Sequence, residues 1–123
     1  MPGVSEWNRQ LIEASRALDE AHLTLDGRTR EWAEADLTYR RANARAMIRQ
    51  KGEKGTVPEK QAIADLEVAE FRYAAQLAEG LKIAALEAAR SRRAQLSAVQ
   101  SLVSLAKSEA DLAKWGPSEG SAA

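Results

Sequence analysis

Arg41, Arg45 and Arg49 stand four residues apart, a spacing that puts three guanidinium groups on one face of a helix, with Arg40, Lys51 and Lys54 close by. A row of guanidinium and ammonium groups binds phosphate oxygens or the carboxylates of an acidic partner. Arg90, Arg92 and Arg93 form a second basic cluster. The chain carries 18 basic and 18 acidic residues, yet the charge is unevenly spread: residues 1–27 hold two basic and five acidic residues, net −3, and residues 28–60 hold nine and five, net +4. No aromatic side chain is interleaved with the three arginines for base stacking, so nucleic-acid contact here would run to the backbone and ignore sequence. Two other readings stay open, a solvated helix face and contact with an acidic protein.

Other chemistry is sparse. There is no cysteine, hence neither a thiolate nor a disulfide. The one histidine, His22, has no second histidine to complete a metal site and lies three residues from Leu25, which reads as a surface or seam-edge position. Glu67, Glu70, Glu79 and Glu87 are spaced as solvated helix faces, with Arg72, Lys82 and Arg90 as basic neighbours. Gly52-Glu53-Lys54-Gly55 has the G-x-x-G form that clamps nucleic-acid backbone in KH domains. No strand pattern flanks it and no Gly-Lys-Ser/Thr follows, so it reads as a turn. The expectation is a protein without catalytic residues, metal or cofactor, and not an enzyme.

What must position these residues is helix. The chain has 25 alanines in 123 residues against 7 glycines and 3 prolines, and the aromatic fraction is 5%, which predicts an all-α fold. From Trp7 an apolar stripe recurs every four and three residues through Leu11, Ala14, Leu18, Ala21 and Leu25. Arg28 stands out of character before Trp32, Ala35, Tyr39, Ala42 and Ala46 resume it. This is the pattern of a coiled-coil seam. Helix one is expected from about Ser5 to Gln50, bent or broken at Asp26-Gly27. Residues 51–57 form a loop, Pro58 opens helix two, and Trp115-Gly116-Pro117 ends it near Lys114 before a tail at 115–123. The whole reads as a single helical domain, a long antiparallel helical hairpin.

With the loop near residue 53, partners across the hairpin have numbers adding to about 107, which sets Gly27 opposite Gly80. Each glycine costs a helix about 1 kcal/mol relative to alanine, so the pair reads as close packing of backbones or a hinge. Helix two has a modest apolar face early on, where Ile63, Leu66, Tyr73, Leu77 and Leu81 alternate with Val68, Phe71 and Ala75. Later, Leu96, Val99, Leu102, Val103, Leu105 and Leu112 spread wider than one facing helix covers, which predicts a homo-oligomer or a protein partner. Trp7 and Trp32 fall on the stripe as core, and Trp115 lies past the opposing helix as an interface anchor. No apolar run reaches membrane-spanning length and no basic-then-apolar leader opens the chain, so a cytoplasmic protein is expected.

The alanine-rich run from Leu77 to Val103, with Ala88-Ala89-Arg90-Ser91-Arg92-Arg93-Ala94, and the Gly55-Thr56-Val57-Pro58-Glu59 turn resemble small all-helical proteins of actinobacterial phages, over about Trp32 to Pro117. Some such proteins sit among replication and recombination genes. The resemblance implies that setting, in the host cytoplasm, and supplies no catalytic or binding residues. The resulting expectation is a coiled-coil interaction protein that binds DNA or a DNA-bound protein through its basic tip. The alternatives are a scaffold or virion component, and an inhibitor that docks its apolar face on a host protein.

Overall fold

The computed structural model describes residues 3–121, with side chains as far as Lys114. Three helices follow in order, α1 (Val4–Lys51), α2 (Val57–Glu67) and α3 (Ala69–Ser121), with no strand among the described residues. The all-α expectation holds, and α1 packs against α3 as in a helical hairpin.

Helix α1 begins one residue before Ser5, where the Trp7 amide reaches the Gly3 carbonyl at 3.1 Å. It is helical throughout Asp26-Gly27, so the chain is not broken there. Its end tightens into shorter turns, with Gly52 N–H to the Arg49 carbonyl and Glu53 N–H to that of Gln50. Gly55 follows at φ 132°, a left-handed conformation that favours glycine, and a Cβ there would press on the Glu59 carboxylate at 3.0 Å. The turn hands over to α2 through a reciprocal cap. Thr56 accepts from the Glu59 amide and the Glu59 carboxylate accepts from the Thr56 amide, both at 3.3 Å. Pro58 sits in the first turn as its sequence position predicts.

The second half departs from the expected single helix of residues 58–114. It is divided at Val68, which takes φ −105° and ψ 5°, although Val68 N–H still reaches the Ala64 carbonyl and Arg72 N–H reaches that of Val68. Among the described residues Val68 is the largest fully buried side chain, at 1% exposure. There it packs with Ala46 and Ala64, so the division of the helix falls at the centre of the core cluster. At the other end, α3 is helical to Ser121, past the Gly116-Pro117 pair expected to stop it and through most of the expected tail. A proline removes a single N–H donor from the ladder, and here that loss does not end the helix.

The chain divides into two compact units. The loop-side unit, Leu23–Leu86, closes on Ala46, Ala64 and Val68, with Tyr39, Ala42 and Phe71 packed against them. The terminal unit combines Met1–His22 with Glu87–Ala123, where Ala89 and Val103 are buried and Trp7, Leu11, Leu18, Leu96 and Val99 are half-buried. Two interleaved sevens run along α1, Trp7-Ala14-Ala21-Arg28-Ala35-Ala42 and Leu11-Leu18-Leu25-Trp32-Tyr39-Ala46, and every member is buried or half-buried. Along the second half the same holds for Val68-Ala75-Lys82-Ala89-Leu96-Val103. Its companion, Ala64-Phe71-Ala78-Ala85-Arg92-Val99-Ala106, is covered except at Arg92.

Paired side chains in the loop-side unit fix its register. Arg49 meets Glu67, Tyr39 meets Arg72 and Trp32 meets Lys82, so partner numbers add to between 111 and 116. This is four to nine residues, about one to two and a half helical turns, from the expected register and takes Gly27 and Gly80 off a common level. Neither glycine is a close-packing site, because an added Cβ at either would meet nothing within 4 Å.

Candidate functional site

The basic tip lies at the loop end of the loop-side unit. Between Leu37 and Gly52 there are five cations, Arg40, Arg41, Arg45, Arg49 and Lys51, and no carboxylate. All five are exposed, as is Lys54 in the turn. Their partners sort them into two groups. Arg40 is held by Asp36 at 2.8 Å, one helical turn back, and Arg49 by Glu67 at 2.6 Å across the hairpin. Glu67 also accepts from the Gln50 amide at 3.5 Å, and Gln50 is buried with its own oxygen unpartnered. Arg41, Arg45, Lys51 and Lys54 form no ion pair among the described residues.

A second set of cations was not singled out in the sequence as structural, and packs over aromatic rings. The Lys82 ammonium sits 3.6 Å from the centre of the Trp32 ring. Arg72 lies 6.0 Å from that of Tyr39 and is paired with Asp65 at 3.1 Å. Lys82 occupies a covered position of the heptad series, so its stem packs in the seam while its charge rests on an aromatic face. Counting back in sevens from Val103 would have found it.

Arg90, Arg92 and Arg93 belong to the terminal unit and the basic tip to the loop-side unit. Arg90 pairs with Glu87 at 3.2 Å, Arg92 bonds to Gln95 at 3.0 Å, and both are short-range partners on the same helix. His22 is half-buried, at an edge position, and no group of three or more metal-ligating side chains occurs among the described residues. No helix of the described residues is long and apolar enough to cross a membrane.

Comparison with family models, curated proteins and solved structures finds no match.

The apolar surfaces differ from the expectation in kind. Of the residues expected to form an oligomer interface, Val103 is buried inside the terminal unit, and Leu96 and Val99 are half-buried. Leu102, Leu105 and Leu112 are exposed. Leu102 and Leu105 line an open apolar recess of about 380 Å³ with Val4, Trp7 and Ala106. The side chain of Trp115 lies outside the described residues. In the loop-side unit the separation is sharper. Val68, Phe71 and Ala75 form the seam, while Leu66, Tyr73 and Leu77 are 78%, 67% and 52% exposed. In the sequence the two sets alternate as one apolar face. They are opposite sides of a helix whose inner stripe is mostly alanine and whose bulk is turned outward.

Proposed function

We propose that this chain is a non-enzymatic interaction protein that engages the phosphate backbone of nucleic acid, or a protein bound to it, through its basic tip. The resemblance to phage proteins sets this role as an accessory in DNA replication or recombination. One observation carries the reading: five cations and no carboxylate between Leu37 and Gly52, with Arg41, Arg45 and Lys51 in no ion pair among the described residues. Unneutralised arginines on a solvated face attract polyanions at long range and bind phosphate directly.

Fluorescence anisotropy with labelled single- and double-stranded DNA at about 50 mM salt tests it, since screening there is weak. Binding should be indifferent to sequence and fall steeply with salt. Replacing Arg41 and Arg45 together by glutamine should flatten the log–log salt slope by roughly 1.4 to 1.8 units, the loss of two phosphate contacts. Arg49→Gln alone should matter less, because Glu67 already neutralises that side chain. Absence of binding to either DNA form at this salt would refute the nucleic-acid reading.

The outward Leu66, Tyr73 and Leu77 favour a second reading, assembly of copies into a scaffold.

A further inference from the structure

We infer that the loop-side unit binds a second copy of this chain through unlike faces, the outer face of α1 on one copy against the outer face of α2–α3 on the next. The inference names the partner and faces for the assembly reading and does not depend on nucleic-acid binding.

Both outer faces are uncovered and share one spacing. On α1, away from the seam, Leu37, Arg41, Ala44 and Ile48 follow at intervals of four, three and four, and all are exposed. On the second half, away from its own seam, Leu66, Glu70, Tyr73 and Leu77 follow at the same intervals and are exposed too. Laid antiparallel, Leu37 meets Leu77, Ile48 meets Leu66, Arg41 stands level with the Tyr73 ring, and small Ala44 leaves room at Glu70. The numbers of these pairs add to 114, inside the range of the intrachain pairs. A copy displaced sideways without sliding therefore makes the match.

Charge selects unlike faces over like ones. Residues 23–51 hold seven basic and four acidic residues, net +3, while residues 57–86 hold three and five, net −2. Two α1 faces would bring Arg41 and Arg45 against their own copies, and two α3 faces would oppose Glu70 to Glu70. An α1–α3 contact places Arg45 near Glu70 and Arg41 over Tyr73. It repeats between copies the arginine-on-tyrosine contact of Arg72 and Tyr39 within one. Such a contact uses up one face of each copy and leaves the other open, so it propagates.

Two variants of the full chain test this, one blocked on α1 (Leu37→Glu with Ile48→Glu), the other on α3 (Leu66→Glu with Leu77→Glu). Circular dichroism first checks that helicity is retained, as expected for exposed positions. In sedimentation velocity the unaltered chain should grow beyond dimer with concentration. Each variant alone should be monomeric, and an equimolar mixture should form a one-to-one dimer, since each keeps the face the other lacks. A monomeric unaltered chain, self-association of either variant, or a mixture that stays monomeric would each overturn the inference. If a double variant loses helicity, Arg45→Glu and Glu70→Arg replace it: each should weaken association and the two together restore it, and failure of the pair to restore it also counts against the inference. DNA anisotropy on the α3-blocked variant, in which Arg41 is intact, separates the two functions.

Discussion

At the scale of single residues, the chain places cations where a core residue would be expected. Lys82 falls in a heptad position and uses Trp32 as its counterpart, so Lys82→Gln should lower stability by about 0.5 to 1 kcal/mol. Chemical denaturation measures this. An unchanged midpoint would mean that only the stem contributes. The glycines behave in the opposite sense to the close-packing expectation. Because open space surrounds a Cβ at both sites, Gly27→Ala and Gly80→Ala should each raise stability by up to about 1 kcal/mol. A lower melting temperature for either would show that the flexibility of glycine is required there. The free tip arginines were legible in the sequence. That Arg40 and Arg49 are partly spent on Asp36 and Glu67 was not, because the second pairing depends on a register that spacing alone does not set.

At the scale of elements, α1 was the most legible part, since its seam carries tryptophan, leucine and tyrosine against a polar surround. The turn was equally clear, its glycine, threonine, proline and glutamate each meeting a distinct backbone need. Thr56→Ala should cost about 1 kcal/mol by deleting half of the reciprocal cap, which thermal denaturation would register. The second half was misread because hydrophobicity was taken as burial. Its seam is built of small residues, and alanine buries little, so Leu66, Tyr73 and Leu77 outweigh it in any apolar pattern while lying outside. A pair of substitutions separates the two sides. Val103→Glu puts a charge in the terminal unit's seam and should cost at least about 2 kcal/mol, with loss of helicity, whereas Leu77→Glu on the outer side should leave the melting temperature nearly unchanged in samples dilute enough to be monomeric. Equal effects would refute the assignment of inner and outer stripes.

At the scale of the whole molecule, zero net charge conceals a basic stretch and acidic neighbours, and the apolar bulk of the loop-side unit faces outward. Both proposed roles follow from these uncovered surfaces: phosphate binding at the free arginines, and contact between copies along the outer stripes. The same pairing pattern also dictates an order of events. Partners nearest the turn, Arg49 and Glu67, are 18 residues apart in sequence, while Trp32 and Lys82 are 50 apart. Closing the longer loop first would cost about 1 kcal/mol more in chain entropy, and closing the shorter one leaves each later pair only a few residues to bring in. The loop-side unit should therefore fold as a zipper from its turn. Thr56→Ala should then slow refolding, and Lys82→Gln should mainly speed unfolding.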